Sequence, residues 1–152
     1  MRGCHLSALK QGLHELNADI VCLQEVQDIN TKRKLRSLES HGDSQVRALQ
    51  GQDYPYIAYG ANAVYHHGNH GNHGNAILSK HPIQKWSNID VSDHRLEQRG
   101  ILHATVQHPQ YGEIHVICAH FGLFKVSRIR QAQALIHHVR EHVPMNVPLL
   151  VA

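Results

Sequence analysis

The sequence has 152 residues, of which 41% are hydrophobic and 18% charged; this composition fits one ordinary globular domain over residues 1–152 and excludes two. Its longest apolar runs, such as Ile20-Val21-Cys22-Leu23, are far shorter than the roughly 18 residues needed to cross a bilayer, so we expect no membrane span. The formal charge of +3 permits a polyanionic partner without arguing for one, and sixteen histidines would add positive charge at mildly acidic pH.

The first half of the chain predicts a helix, a buried strand and a second helical segment. Leucines at positions 6, 9, 13 and 16 form the apolar stripe of an amphipathic helix that Asn17 ends. The apolar run from Ile20 to Leu23 predicts a strand buried on both faces, which closes on Glu25. Residues 31–50 carry a helical pattern that His41-Gly42-Asp43 interrupts.

The middle of the chain predicts several strands. Strand-like segments from Tyr54 to Tyr59 and from Asn75 to Ser79 lie on either side of the polar segment 61–74, which predicts a loop. Further along, Gly100–His108 and Glu113–Phe121 predict a pair of strands joined by a short connection.

The last part of the chain predicts a helix and then one more strand. Ser127 is a candidate N-cap for that helix, whose expected apolar face carries Ile129, Leu135, Ile136, Val139 and Val143. The order of elements predicts an α/β protein with a two-sheet sandwich. No strand precedes the first helix, and the last residues, 147–152, are an apolar strand, so we expect an incomplete sandwich that lacks its first strand and its C-terminal part.

The cysteines and the N-terminus indicate the compartment. Three cysteines are too few for a disulfide framework, and Cys22 and Cys118 lie in apolar runs, where they are expected to be small buried hydrophobes. No apolar segment of about 7–15 residues follows Met1, so no secretory signal is visible. We therefore expect a cytoplasmic protein.

One carboxylate stands where chemistry is expected in an α/β sheet. Glu25 follows a buried strand, and ligands gather at the carboxyl ends of such strands, so Glu25 could bind a hard cation such as Mg²⁺ through oxygen. On composition and position alone, a solvated loop residue is the favoured interpretation.

Four motifs then stand in order along the chain: Ala18 to Val26, Gly74 to Ile83, Glu97-Gln98-Arg99-Gly100, and His115 to Phe121. Together they resemble the endonuclease/exonuclease/phosphatase superfamily, which includes deoxyribonuclease I, exonuclease III-type repair enzymes and neutral sphingomyelinases. The resemblance is collinear over nearly the whole chain, which makes it far more specific than any single motif. It implies a deoxyribonuclease I-like fold and a hydrolase that cleaves P–O bonds by metal-assisted attack of water.

The resemblance also implies roles for four residues. Glu25 matches the family's metal-binding glutamate and would hold Mg²⁺ or Mn²⁺ against a phosphate oxygen. His120 matches the histidine that hydrogen-bonds the scissile phosphate, and Arg99 matches an arginine that contacts the phosphate. Asn75 matches a polar position that faces the site. The implied substrate is a phosphate ester: a nucleic acid, a phospholipid head group or a small molecule.

Two departures from the family pattern limit this interpretation. The family's first strand, which supplies an asparagine near the metal, has no counterpart before Met1. The Gly-Asp-x-Asn and Ser-Asp-His motifs, which act on the water and the phosphate, would follow Ala152. Because general acid–base groups are typically worth about 10²–10⁴-fold, we expect this 152-residue chain to be inactive or nearly so.

Histidine patterns leave an alternative open. The triplet His-Gly-Asn occurs three times in residues 67–75, and such a loop could bind zinc or nickel, although a repeat expansion in a surface loop is the favoured interpretation. The alternative function is therefore a noncatalytic phosphate- or metal-binding module that uses this loop. His138 and His142 lie four residues apart on the last helix, where a solvated polar face is favoured over a metal pair.

Overall fold

The computed structural model describes residues 6–30, 44–65, 71–95 and 97–152. Two sheets form its centre, one with the strand order β1-β3-β2 and one with the order β4-β5-β6-β7. The α/β two-sheet sandwich expected from the sequence is confirmed. In chain order the elements are α1 (Leu6–Leu16), β1 (Ile20–Asn30), α2 (Gln45–Gln50), β2 (Tyr56–Tyr65), β3 (Gly71–Ser79), β4 (Ile83–Asp90), β5 (Gly100–His108), β6 (Gly112–Ala119), α3 (Lys125–His142) and β7 (Leu149–Val151).

The sheets are held together by an apolar core between them. In the first sheet β3 pairs antiparallel with both β1 and β2, and in the second β5 pairs antiparallel with β4 and β6, while the short β7 runs parallel to β6. Cys118 is fully buried and Cys22 packs partly buried against the same core, both as free thiols, as expected. The fully buried core residues include Ala58, Ile77, Leu102, Val106 and Cys118.

Helices α1 and α2 cover the outer face of the first sheet. Leu6 and Leu13 of α1 pack against a second apolar cluster that includes Val46, Leu49 and Tyr54. The other two leucines of the predicted stripe, Leu9 and Leu16, are exposed, because the seven-residue spacing that aligns Leu6 with Leu13 leaves those two on the flank of the helix. Asn17 ends α1 as expected, with a left-handed φ of 50°.

Gly12 gives a test of how α1 contributes to stability. A methyl group at Gly12 would meet no other atom within 4 Å, so Gly12→Ala removes backbone freedom from the unfolded chain without creating a clash. We expect Gly12→Ala to raise the free energy of unfolding by about 0.5–1 kcal/mol, measured by urea denaturation. Gly112→Ala is the matched control: its φ of +70° strains any side chain, so that variant should lose stability.

The polar segment expected to be a loop is largely a strand pair. β2 continues to Tyr65 and β3 already begins at Gly71, with Ala63 opposite His73 and Tyr65 opposite Gly71. Strands pair through backbone N–H and C=O groups, which glycine and asparagine have like other residues. The segment lacks the apolar side chains from which strands are predicted, so the sequence did not indicate this pairing. The strand β4 was also not predicted, because its side chains are mostly exposed and carry no clear alternation.

Two expectations for helix α3 are wrong. The helix begins at Lys125 with Phe124 at the N-cap position, while Ser127 lies buried inside the first turn. Its hydroxyl donates to Asp93 Oδ2 at 2.9 Å, which occupies the group that was expected to cap the helix. The fully buried residues of the helix are polar rather than apolar.

The buried residues of α3 are Ser127, Gln131 and His138. His138 contacts His103 of the second sheet, whereas Ser127 and Gln131 contact Asp93 and Gly122 in the adjoining connections. Of the expected apolar face, Ile129 and Ile136 are about half exposed, at 49% and 51%, while Leu135, Val139 and Val143 are partly buried.

Buried histidines attach α3 to the second sheet. His138 Nε2 lies 2.9 Å from His103 Nδ1 on β5, and His103 Nε2 lies 2.7 Å from His115 Nδ1 on β6. His115 Nε2 in turn lies 3.3 Å from Glu113 Oε1. The favoured interpretation of His138 as part of a solvated face is wrong, because its ring is the link between α3 and this hydrogen-bonded chain. His142 stacks on it at a centroid distance of 4.4 Å.

None of the helices in the described residues has the length and apolar character needed to cross a bilayer.

Candidate active site

A cavity opens at one end of the sandwich, where β1, β3, the start of β5 and the end of β6 meet. Its volume of about 60 Å³ leaves room for a partly hydrated ion. All four residues to which the resemblance assigns roles contribute to its wall, although they are up to 95 positions apart in the sequence. The lining residues are Glu25, Asn62, Ala63, His73, Gly74, Asn75, Gln98, Arg99 and His120.

A β-bulge places Glu25 in this cavity. Leu23 pairs with Ala76 and Val26 with Gly74, so Gln24 and Glu25 of β1 together face the single residue Asn75 of β3. Glu25 has a left-handed φ of 54°, which is uncommon for a residue with a side chain and costs about 1 kcal/mol or more. Bulges re-aim side chains beside active sites, and this one brings the carboxylate, 59% exposed, beside His120.

His120 follows β6 and faces Glu25. Its Nδ1 lies 3.5 Å from Glu25 Oε1, and the other ring nitrogen, Nε2, takes no part in this contact. Gln24 Nε2 donates to the carbonyl oxygen of Ala119 at 2.7 Å, so the residues preceding Glu25 and His120 are tied together across the two sheets. The spacing of the two side chains is therefore restrained by the contact between the Gln24 amide and the Ala119 carbonyl group next to them.

Asn75 lies under the cavity and is almost fully buried, with 1% of its surface exposed. Its Nδ2 donates to the carbonyl oxygens of Gly100 at 2.9 Å and Cys118 at 3.2 Å, both in the opposite sheet. These contacts use both amide hydrogens and leave Oδ1 buried without a hydrogen-bond partner. An unpaired buried acceptor costs about 1–3 kcal/mol, so a cation or a donor at this position would be stabilising.

The donor set fits the kind of metal ion that the resemblance implies. Mg²⁺ and Mn²⁺ prefer oxygen ligands, and the cavity offers the Glu25 carboxylate and the unpaired Asn75 Oδ1.

Arg99 is held by protein groups on three sides. Its Nε donates to the carbonyl oxygen of Phe121 at 3.4 Å, one terminal nitrogen donates to that of Gln98 at 3.0 Å, and the other donates to Glu97 Oε1 at 3.2 Å. Of the five N–H groups of a guanidinium, two remain, one on each terminal nitrogen. A phosphate could therefore be contacted only through these two.

Glu97 is a residue of the site region whose contacts sequence reasoning missed. It is buried, and its Oε1 also accepts from the backbone N–H of Leu123 at 2.8 Å, so it connects Arg99 to the segment after His120. A Cβ on Gly122 would lie 2.6 Å from Glu97 Oε2, which explains the glycine there. The motif Glu97-Gln98-Arg99-Gly100 was visible in the sequence, but the partner at Leu123 was not.

Asn62 and Asn88 were missed as well. Asn88 Nδ2 donates to Asn62 Oδ1 and to the Ala61 carbonyl oxygen, each at 3.1 Å, and so connects β4 with β2 beside the cavity. A Cβ on Gly100 would lie 2.0 Å from Asn62 Oδ1, so only glycine fits against this pair. The sequence indicated this contact only through the glycine at the start of β5, and a glycine does not identify the asparagines that lie against it.

The histidine repeat that the alternative function would use lies partly outside the described residues, because 66–70 are among those the structure does not describe, while 71–75 form the start of β3. His73 is described, and it lines the cavity and contacts Gln27.

A different cluster of possible ligands, Asp19, His81 and His108, lies at the opposite end of the strands from Glu25. His108 Nδ1 accepts from the backbone N–H of Gln110 at 3.1 Å, so the proton of the neutral ring is on Nε2. This arrangement disfavours metal binding there.

Comparison with known proteins agrees with the fold and the order of motifs. A two-sheet α/β sandwich with these four motifs belongs to the deoxyribonuclease I-like class. The sequence model of the Endonuclease/Exonuclease/phosphatase family matches residues 2–152. The chain belongs to this family, whose members generally hydrolyse phosphoester bonds.

Curated relatives are similar over nearly the whole chain. The uncharacterized protein YbhP of Escherichia coli K12 is 38% identical over 151 residues, and so is that of Shigella flexneri. Each match covers 97% of this chain but 57% of the relative, so the chain spans little more than half the length of these proteins.

Solved structures share the fold at low sequence identity. An endonuclease/exonuclease/phosphatase from Beutenbergia cavernae matches with a TM-score of 0.73 and 21% identity, covering 99% of this chain and 42% of that one. Truncated Caenorhabditis elegans TDP2 matches with a TM-score of 0.61 and 21% identity, covering 96% of this chain and 53% of that one.

Proposed function

We propose that the cavity around Glu25 is part of an active site that hydrolyses phosphodiester or phosphomonoester bonds with the help of Mg²⁺ or Mn²⁺. The observation that carries this proposal is the pair formed by the strained Glu25 bulge and, opposite it, the buried Asn75 with an unpaired Oδ1. A strained backbone and an unsatisfied buried acceptor are both unfavourable in an empty protein, and a bound cation would compensate for them.

Each residue would act on the substrate in a distinct way. Glu25 would hold the cation, which supplies Lewis-acid stabilisation of the charge that develops on phosphate oxygens. His120, whose Nδ1 faces Glu25, would donate from Nε2 to a phosphate oxygen. Arg99 would add its two remaining N–H groups from a position fixed by Glu97, and Asn75 would offer Oδ1 beneath the cation.

The resemblance assigns the attacking water to the Gly-Asp-x-Asn and Ser-Asp-His motifs of the family, and none of the described residues that line the cavity belongs to such a motif. We therefore propose that this polypeptide binds metal and phosphate but turns over slowly or not at all. The proposed substrates are those that the resemblance implies: nucleic acid, a phospholipid head group or a small phosphate ester. The cytoplasmic location stays a prediction, and the free thiols of Cys22 and Cys118 are compatible with it.

The proposal is tested by Mn²⁺ binding, followed by electron paramagnetic resonance. We expect Glu25→Gln to weaken Mn²⁺ binding by about tenfold or more, because it removes the only charged ligand among the described residues that line the cavity. Glu15→Gln, on the exposed surface of α1, is the matched control and should bind as the parent chain does. Equal Mn²⁺ affinity of Glu25→Gln and the parent chain would refute the metal site.

Phosphate binding is tested separately with dimethyl phosphate as the probe. Bound Mn²⁺ should broaden the phosphorus NMR signal of this diester, and His120→Ala should reduce the broadening while leaving the Mn²⁺ affinity unchanged. Broadening that His120→Ala and Arg99→Gln both leave intact would show that the phosphate contacts neither residue, and the assigned roles would be wrong.

A further inference from the structure

Helix α3 has the reverse of the usual arrangement of side chains. Its buried residues are Ser127, Gln131 and His138, although a surface helix normally buries its apolar residues. With 3.6 residues per turn, Val126, Ile129 and Ile136 lie roughly 140–160° around the helix from Gln131. These three side chains are 58%, 49% and 51% exposed and point away from the protein.

The exposed apolar surface continues into the turn before the helix. Leu123 is 76% and Phe124 63% exposed, and they follow directly on the segment that Glu97 holds through the Leu123 backbone N–H. We call the surface formed by Leu123, Phe124, Val126, Ile129 and Ile136 the outer face of α3. Isolated exposed apolar residues are ordinary, but three on one helix face with two more in the adjoining turn indicate a binding surface.

The charges beside the outer face are mainly positive. Helix α3 carries four basic residues and a single acidic one, Glu141. Arg130 is paired with Asp93 at 2.6 Å, whereas Arg128 donates to backbone carbonyl oxygens and keeps its charge unneutralised. Lys125 and Arg140 lie on the exposed side of the helix.

We propose that the outer face of α3 docks on the surface of an anionic lipid bilayer. Aliphatic and aromatic side chains flanked by lysine and arginine are the pattern of helices that lie in a membrane interface, where the apolar residues enter the acyl boundary and the basic ones contact phosphate head groups. This docking requires no membrane-spanning segment and does not depend on hydrolysis at the proposed active site.

Other occupants fit the same surface less well. A symmetric contact between two copies of this chain would bring Lys125 and Arg140 of both copies into one interface, where like charges repel. A nucleic acid would satisfy the basic residues but would leave Val126, Ile129 and Ile136 against a polar backbone without base stacking. An anionic bilayer matches both the charge and the apolar side chains.

Vesicle sedimentation tests the proposal with the 152-residue chain in EDTA, so that metal and turnover play no part. The chain should sediment with vesicles of equimolar phosphatidylglycerol and phosphatidylcholine, and much less with phosphatidylcholine alone. Ile129→Gln/Ile136→Gln should lower the partition coefficient by about tenfold or more, because both side chains lose their apolar insertion while glutamine preserves the helix. Lys125→Glu/Arg140→Glu should remove the preference for anionic lipid.

Leu9→Gln/Leu16→Gln is the matched control, since it removes two exposed apolar side chains from another helix and should leave sedimentation unchanged. Circular dichroism verifies that each variant is folded. Equal sedimentation of the parent chain with both vesicle types, or an unchanged partition coefficient in Ile129→Gln/Ile136→Gln, overturns the proposal. So does a dimer in light scattering, or binding to duplex DNA, that this variant abolishes.

Discussion

Acidification from pH 7 to pH 4 should lower the free energy of unfolding by about 3 kcal/mol through the buried histidines alone. Burial, followed by the neighbouring His138 and His115, lowers the pKa of His103 from 6.5 to about 4, and burial also lowers the pKa of His138. Since one pKa unit corresponds to about 1.4 kcal/mol, the shift of His103 is sufficient for this effect.

The sign follows from which state binds the proton. Between pH 6.5 and about 4 the unfolded chain protonates His103 while the folded protein keeps it neutral, so stability is fully present above pH 6.5 and is lost as the pH falls. The neutral ring is favoured because each of its nitrogens faces another imidazole, and a neutral ring can donate at one nitrogen and accept at the other. Lys85 contributes a positive charge near these rings, and His137 and His142 contribute one when they are protonated. Glu113, which contacts His115, is a nearby negative group.

Urea denaturation at several pH values measures this loss. His103→Gln keeps one donor and one acceptor but cannot take up a proton, so its stability should change less between pH 6.5 and pH 4 than that of the parent chain. Parallel pH profiles for His103→Gln and the parent chain would show that the buried histidine chain does not control acid stability.

Glu97→Ala should cost about 3 kcal/mol of unfolding free energy, because breaking a buried ion pair from one side leaves the other charge uncompensated. The change removes the partner of Arg99 and the acceptor of the Leu123 N–H at the same time. Glu97→Gln keeps the shape and the acceptor and removes only the charge, so its loss should be smaller.

Urea denaturation at neutral pH gives both values, with Glu15→Ala on the exposed surface of α1 as the control that should change stability little. If Glu97→Ala were no less stable than Glu15→Ala, the contacts of Glu97 would contribute nothing to the fold, and Arg99 would be positioned by its carbonyl partners alone.

Much of the architecture could be predicted from local patterns. The helix up to Leu16, the strand that starts at Ile20 and the strand pair from Gly100 follow from apolar spacing and from turn residues, which act over a few positions. Helix α3 shows where this reasoning fails: its apolar residues were expected to face the core, yet the sheet offers it the imidazole rings of His103 and His115. Because the sheet presents polar side chains to α3, the helix buries polar residues there. The spacing of residues within α3 does not predict this orientation.

The sequence by itself determined the identity of the four candidate site residues, because Glu25, Asn75, Arg99 and His120 stand in four ordered motifs. Only the tertiary structure decided how they meet. The bulge that turns Glu25 toward His120, the two carbonyl groups that fix the Asn75 amide, and the Glu97 contact that restrains Arg99 all depend on strands far apart in the chain. Backbone pairing between distant segments sets these positions, and pairing register is a property of the folded sheets.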